Sequence, residues 1–78
     1  MTLVELKPGQ TARIESIDTA SPDIVRLMVL GLVEGVLVRF ENAAIGGDPL
    51  EISMYGASIS IRKQQASRFQ IVPEPLRG

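Results

Sequence analysis

The sequence predicts a mainly β fold, a small antiparallel barrel of five strands with one inserted helix. Five short segments alternate apolar and polar residues, and clusters of turn-forming residues separate them. One stretch in the first half instead shows helical spacing between a start signal and a stop signal. The 78 residues contain no internal repeat and no linker-like segment, so we expect one domain with a modest core. Barrel closure would remove the edges that short strands otherwise expose.

The helix is predicted from its two ends, on either side of an apolar run. Ser21-Pro22-Asp23 provides the start, because serine can cap the free amides of the first turn, proline fits the first helical position and an acidic residue suits the positive dipole end. Gly31 provides the stop, because a left-handed residue there costs glycine no Cβ clash. Leu32 follows where a Schellman ending usually places an apolar contact. We therefore expect a short helix that plugs the β structure.

Helical spacing divides the apolar residues of this helix between two faces. Val25 and Val29 lie on the outward face, and Met28 lies at the margin. Arg26 is the only charge within residues 24–33. An ordinary surface helix carries polar residues at such outward positions. The residues expected to point inward are Ile24, Leu27, Leu30 and Gly31.

Two explanations can account for the outward valines. Either the N-terminal segment folds over them, through Leu3 or Val4, or they contact another protein. Contiguous exposed apolar area on a small protein usually marks a binding site for a partner. The sequence therefore predicts that Val25, Met28 and Val29 bind a protein partner, and it leaves open a homo-oligomer formed through the same surface.

The predicted strands follow the alternation of apolar residues along the chain. In residues 11–17 the alternation changes phase, which indicates a β-bulge near Ser16. Residues 63–67 are suited to a single helical or 3₁₀ turn, and Pro73 is expected to end the last strand. The leucines within residues 1–6 are expected to cover one end of the barrel. The other predicted elements are strands at 36–41, 50–54, 58–62 and around Phe69 and Ile71, a loop at 42–49 and a hairpin turn at 55–57.

The composition excludes several classes of function. Eight basic and nine acidic residues give a formal net charge of −1, which argues against a general nucleic-acid-binding protein. One tyrosine and two phenylalanines leave little for base stacking or for a groove that binds proline-rich peptides. With no cysteine and no histidine, the chain cannot form disulfides, thiolate metal sites or Ser-His triads. No stretch approaches the roughly 20 apolar residues of a membrane span, and no signal-peptide pattern opens the sequence.

Three other features are better explained as ordinary surface structure. The motif Gly46-Gly47-Asp48-Pro49 lacks the lysine and the following helix of a phosphate-binding loop, so we interpret it as a loop between strands. Arg62, Lys63 and Arg68 form a small basic group, which we interpret as a solvated face. The carboxylates show neither EF-hand spacing nor clustering, and no nucleophile has a paired base, so we expect no cofactor, no metal site and no enzyme activity. These carboxylates are Glu15, Asp18, Asp23, Glu34, Glu41, Asp48 and Glu51.

A set of turn glycines and core aliphatic residues recurs in a recognisable order along nearly the whole chain, as far as Val72. Its members are Leu3, Leu6, Gly9, Arg26, Leu27, Leu30, Gly31, Leu32, Gly35, residues 47–52, Gly56, Ile59 and Ala66. Together their order and spacing resemble the FeoA-type family, ferrous iron transport protein A. The chain departs from that family at Val29, where members often carry a polar or acidic residue, and this departure favours an additional apolar contact.

The resemblance implies an SH3-like five-stranded β barrel, with a domain over residues 1–73 and a C-terminal tail over residues 74–78. It implies a cytoplasmic protein, or one peripheral at the inner face of the cytoplasmic membrane. Such a protein would act without catalysis as an accessory or regulator of ferrous iron uptake, and it would bind the membrane ferrous iron transporter FeoB. The transporter, rather than this chain, would handle the iron.

Two alternatives stay open at this point. The same barrel occurs in iron-dependent repressors, so the chain could be a free-standing domain that binds a peptide or protein partner in metal-responsive regulation. Because the sequence begins at Met1 without a winged-helix domain, the transport accessory is favoured and no nucleic-acid partner is expected. The second alternative is a small metal or nucleotide sensor that uses the scattered carboxylates.

Overall fold

A computed structural model describes residues 1–74 of the chain. A 3₁₀ turn at Leu3–Glu5 comes first, and two helices follow later, α1 (Pro22–Val29) and α2 (Lys63–Ala66). The predicted mainly β class is confirmed, and α2 is the predicted helical turn before the last strand. The five strands are β1 (Thr11–Ile17), β2 (Leu37–Ala43), β3 (Leu50–Met54), β4 (Ala57–Ile61) and β5 (Phe69–Glu74).

The five strands form one antiparallel sheet in the order β4-β3-β2-β1-β5. Of the five strands, β4 and β5 are the outermost in the sheet, and α2 connects them along the chain. Every strand contributes buried side chains to a single core, so the sheet wraps around it. Helix α1, between β1 and β2, supplies two further side chains to that core, as expected for a plug.

The core is apolar, and no polar or charged side chain is buried among residues 1–74. The predicted alternation of the second strand is confirmed, because Val36, Val38 and Phe40 are all buried. The two N-terminal leucines, Leu3 and Leu6, are also buried and close the core near β5 and α2. Burial of these apolar side chains is therefore the main favourable contribution to folding.

Helix α1 begins at the predicted residue, although its first turn is held differently from the prediction. Pro22 occupies the first turn and Ser21 is the N-cap residue. The Ser21 side chain makes no capping hydrogen bond, whereas its carbonyl oxygen accepts the N–H of Ile24 at 3.1 Å. The first turn is exposed, so water can satisfy its remaining amides, and the serine hydroxyl is not needed for that purpose.

The end of α1 is a complete Schellman motif. Gly31 has φ of +115°, in the region that favours glycine. Its N–H donates to the carbonyl oxygen of Met28 at 3.0 Å, and the N–H of Leu32 donates to the carbonyl oxygen of Leu27 at 3.2 Å. These are the two hydrogen bonds that define the motif. Leu32 is fully buried, so the predicted stop signal and its apolar contact are both confirmed.

Two β-bulges adjust the register of the sheet. The β1–β5 pairing shifts between Ile14 and Ser16, which confirms the bulge predicted near Ser16. The β2–β3 pairing shifts between Phe40 and Asn42. A bulge changes the register without ending a strand, so β2 continues to Ala43, two residues into the predicted loop.

Strands β3 and β4 are joined by a turn of two residues. Tyr55 and Gly56 have φ of +51° and +79°, and Met54 pairs with Ala57 across the turn. Positive φ at both central residues is the mark of a type I′ turn, which matches the twist of the flanking strands. Ala57 therefore belongs to β4 and not to the predicted turn.

Strand β5 passes through Pro73, where the sequence predicted its end. Ile71, two residues earlier, donates its N–H to the carbonyl oxygen of Met1 at 2.8 Å, on the side of β5 away from β1. The nitrogen of Pro73 faces the same outer side, so its missing N–H removes no hydrogen bond to β1. Glu74, the first residue of the predicted tail, pairs with β1, and residues 75–78 of that tail lie outside the described residues.

Candidate protein-binding face

Helix α1 packs one side on the core and exposes the other. Ile24 and Leu27 are 1% and 7% exposed, whereas Val25 and Val29 are 46% and 81% exposed. Met28 is partly buried at the margin between the two sides. Residues three and four positions apart are neighbours on a helix surface, so the three predicted partner-binding residues lie side by side. We refer to Val25, Met28 and Val29 as the helix face.

The N-terminal segment does not cover the helix face. Its 3₁₀ turn packs against α2 and β5, and Leu3 is fully buried in the core. Thr2 bridges to Gln70 of β5, which fixes the segment on that side of the molecule. Val4 likewise packs against the core. Of the two explanations for the outward valines, cover by Leu3 or Val4 is therefore wrong, and the valines are open to solvent in the described part of the chain.

Apolar exposure continues beyond the last turn of the helix. Leu30 was expected to point inward, but it is 58% exposed. Leu30 is the C-cap residue, and the chain reverses at Gly31 immediately after it. Because of this reversal Leu32 takes the buried position that helical spacing had assigned to Leu30.

A neighbouring turn adds an aromatic residue to this end of the sheet. A Cβ placed on Gly31 would lie 3.5 Å from Cε of Met54, so the end of α1 lies over the end of β3. Tyr55 follows Met54 directly and is 86% exposed. Neither Leu30 nor Tyr55 was predicted as a site residue. The exposure of Leu30 follows from the chain reversal at Gly31, whereas the position of Tyr55 depends on how α1 lies across β3.

Arg26 places a positive charge beside the helix face. Arg26 is exposed and forms no salt bridge with any of residues 1–74. Asp23, the other charged residue of the helix, accepts a hydrogen bond from Nε2 of Gln65 at 3.1 Å. The helix face is therefore apolar, and the cation at its border has no anionic partner among residues 1–74.

The predicted basic group and the nearby carboxylates lie on exposed surface. Arg68 donates to the carboxylate of Asp18 at 2.6 Å. This hydrogen bond, with a second from the amide of Ala20 at 3.1 Å, lowers the pKa of the Asp18 carboxyl below its ordinary value. Arg62 and Lys63 are exposed at the start of α2, which agrees with the predicted solvated face.

The remaining carboxylates make separate local contacts. Asp48 accepts the N–H of Lys63 at 3.0 Å, which ties the predicted loop at 46–49 to the start of α2. Glu41 accepts the hydroxyl of Ser53 at 2.6 Å. Across the described residues, no three side chains of Asp, Glu, His or Cys are grouped so that they could hold a metal ion. Residues 1–74 also include no helix that is long and apolar enough to cross a membrane.

The loop between β2 and β3 carries another exposed apolar residue. Ile45 is fully exposed at the tip of the loop between these strands. Two backbone hydrogen bonds shape the loop, from the N–H of Ala44 to Pro49 at 3.0 Å and from the N–H of Gly47 to Ala44 at 2.7 Å. This segment was predicted only as a loop, although an isoleucine between alanines and glycines is a signal for an exposed apolar tip.

Comparison with known proteins places the chain in a family. The FeoA domain family matches residues 1–73. A search of curated proteins found no match. The solved structure of the FeoA protein from Chlorobium tepidum has 36% identity and a TM-score of 0.82, over 91% of this chain and 68% of that one. The FeoA of Stenotrophomonas maltophilia, solved in complex with zinc, has 32% identity and a TM-score of 0.79, over 92% of this chain and 89% of that one.

A repressor shares the same fold. IdeR from T. acidophilum has 27% identity and a TM-score of 0.83, over 95% of this chain but only 34% of the repressor. The S. maltophilia protein is described as a prokaryotic SH3 domain protein and as a candidate activating factor of ferrous iron transport. The SH3-like fold predicted from the sequence is thus confirmed, and so is the link of the family to ferrous iron transport. Because the family match covers almost all of the described residues, the chain belongs to the FeoA family.

Proposed function

We propose that this chain is a non-enzymatic accessory protein of ferrous iron uptake that binds the transporter FeoB from the cytoplasmic side. The observation that carries the proposal is the exposure of Val29 and its neighbours on a helix whose other side is buried. A solvated helix gains nothing from valine at such a position, because valine is a weaker helix former than alanine or glutamate. Apolar area of this kind on a small protein usually marks a partner site.

The contact would combine apolar burial with one electrostatic interaction. The helix face supplies the apolar area, and Leu30 extends it past the end of the helix. Arg26 would pair with a carboxylate of the transporter, since it lacks an anionic partner within residues 1–74. Charge pairs at the border of an interface mainly set orientation and association rate, while the apolar centre supplies most of the affinity.

The electrostatics of the described residues support a role without catalysis. Catalytic sites usually hold titratable groups whose pKa is strongly shifted in a cleft. The lowered pKa of Asp18 does not indicate such a site, because its exposed hydrogen bond from Arg68 explains the shift. Buried polar side chains, the usual supports of a reactive group, do not occur among residues 1–74.

The proposal is tested by Val29→Glu, with Val72→Glu as a matched control. Val72 is 48% exposed on β5 and lies outside the helix face, so both variants place a carboxylate at an exposed valine. Both should keep their free energy of unfolding within about 0.5 kcal/mol, the usual range for surface substitutions. Binding to purified, detergent-solubilised FeoB, measured by biolayer interferometry, should weaken in Val29→Glu and stay unchanged in Val72→Glu.

Three outcomes would contradict the proposal. If the chain does not bind FeoB, the proposed function is wrong. If Val29→Glu binds FeoB as tightly as the unaltered chain, the helix face is not the binding surface. If Val29→Glu unfolded the protein, the residue would be structural. The similarity to IdeR favours one second candidate, a domain that binds a protein partner in metal-responsive regulation, and failure to bind FeoB would bring that candidate forward.

A further inference from the structure

The sheet has two edge strands, and one of them is protected. The N–H of Ile71 in β5 donates to the carbonyl oxygen of Met1, and Thr2 bridges to Gln70 on the same side. Pro73 further along has no N–H to offer a new strand. Proteins cover or interrupt edge strands in these ways to prevent pairing with other chains. The outer edge of β5 is therefore closed to an additional strand.

The other edge strand, β4, carries none of these protections. Its sequence, Ala57-Ser58-Ile59-Ser60-Ile61, has neither a charged residue nor a proline. Within residues 1–74, β3 is its only neighbour in the sheet. Helix α2 follows β4 in the chain and connects it to β5, so α2 does not continue along the edge. An open, uncharged edge of five residues is a template for pairing with another strand.

The type I′ turn determines which backbone groups β4 presents outward. In a two-residue hairpin the pair next to the turn exchanges both of its hydrogen bonds, and here that pair is Met54 and Ala57. The register continues without a shift, so Ile59 and Ile61 also bond to β3. Ser58 and Ser60 therefore direct their N–H and C=O groups away from the sheet. No hydrogen bond to these groups comes from elsewhere in the described chain.

We propose that β4 pairs antiparallel with β4 of a second copy of this chain, about a two-fold axis at Ile59. In that register the N–H of Ser58 donates to the C=O of Ser60 of the partner subunit, and the C=O of Ser58 accepts the N–H of the partner's Ser60. The two-fold axis repeats these two hydrogen bonds between Ser60 and the partner's Ser58. Four backbone hydrogen bonds result, and they use every outward group of the strand. A two-fold interface requires one surface to complement itself, and the two serines around a central residue meet that requirement.

The side chains suit the same arrangement. Ile59 pairs with the buried Ile52, so it lies on the core side of the sheet, yet it is only partly buried because no strand lies beyond it. Pairing about Ile59 would bring the two copies of that side chain together and bury both. Ser58 and Ser60 would face each other on the outer side, where opposed hydroxyl groups are favourable neighbours. No like charges oppose each other within the strand.

This interface is separate from the helix face. Strand β4 contains none of Val25, Met28 and Val29, so the dimer can form whether or not the chain binds FeoB. An extended segment of a different protein is the competing occupant of the edge. It would leave the free chain monomeric, whereas self-pairing makes association depend on the concentration of this chain alone.

Sedimentation equilibrium of the full chain tests the proposal directly. A small interface gives weak association, so the concentration should range from about 10 µM to 1 mM. We expect a monomer–dimer equilibrium in this range. Amide hydrogen exchange measured by NMR at the two ends of the range gives a second readout. The amides of Ser58 and Ser60 should gain protection as the dimer forms, while the amide of Ile59, already bonded to β3, should change little.

Two matched variants test the register. In Ser58→Lys/Ser60→Lys, like charges face each other across the two-fold axis, and in Ser58→Glu/Ser60→Lys opposite charges do. Both variants place a lysine beside Glu51, the neighbour of Ser60 within the chain, so they differ only at position 58. The first should weaken dimerisation about tenfold and the second should retain it.

Clear results would overturn the proposal. A chain that stays monomeric up to the highest concentration contradicts it, and so does a dimer that leaves the exchange of Ser58 and Ser60 unchanged. Equal association in the two charge variants would contradict the proposed register. If a variant failed to fold, judged by its thermal unfolding, the exchange measurement on the unaltered chain would still decide.

Discussion

Substitution of Gly31 tests the ending of α1, and its effect can be worked out from the backbone. The φ of +115° is strained for any residue with a Cβ, which costs about 1–2 kcal/mol. A Cβ at this position would lie 3.5 Å from Cε of Met54, an ordinary contact distance. Gly31→Ala should therefore lose about 1–2 kcal/mol from strain alone. Gly31→Val adds two methyl groups toward Met54 and should lose about 1 kcal/mol more.

Gly35 provides the matched control for this series. It has φ of +88°, and its N–H donates to the carbonyl oxygen of Ile14 at 2.8 Å, so its backbone is fixed as well. A Cβ on Gly35 would meet no atom within 4 Å. Gly35→Ala should thus lose about as much stability as Gly31→Ala, whereas Gly35→Val should lack the additional loss that Met54 causes.

Urea unfolding of the four variants measures these differences, with the free energy taken from the midpoint and slope of each transition. An unchanged midpoint for Gly31→Val would refute the strained helix ending. If the two valine variants lost equal stability, the strain would stand but the crowding by Met54 would be refuted. That result would mean that the flexible methionine side chain moves aside at no cost.

Two further predictions concern charge and metal. Because Arg68 lowers the pKa of Asp18, Arg68→Gln should raise that pKa toward its ordinary value in an NMR titration. In the unaltered chain the pair stabilises the fold at pH values above the ordinary carboxyl pKa, and this stabilisation is lost as the pH falls through the lowered pKa. An unchanged Asp18 titration in the variant would contradict the assignment. Anaerobic calorimetric titration with ferrous iron should show no saturable micromolar site, because the chain has no imidazole or thiolate ligand, and one-to-one binding at micromolar affinity would refute this expectation.

Local signals predicted the elements whose limits depend on nearby residues. Pro22 and Gly31 set the ends of α1 because a proline start and a glycine stop act within one turn of the chain. Pro73 misled the prediction for a different reason. Whether proline ends a strand depends on which side its nitrogen faces, and that is decided by the pairing of β5 with β1.

The candidate site also combines residues that local spacing predicts with residues whose place depends on distant parts of the chain. Val25 and Val29 followed from helical spacing, because their direction relative to Ile24 is fixed within the helix. Whether anything covers them depends on the path of residues 1–6, which no local pattern encodes. Tyr55 joins the same end of the molecule only because Gly31 lies against Met54, a contact between distant parts of the chain.

The pairing of the first strand with the last also orders events during synthesis. Thr11 bonds to Glu74, 63 residues further along the chain, so the outer side of β1 has no neighbour until β5 has been made. Contacts of such long sequence separation slow folding, because a large loop must close before they form. While the ribosome is still adding β5, the β1 edge and the N-terminal leucines stay exposed. This fold is completed only after translation of its last strand, so the nascent chain is most prone to mispairing just before then.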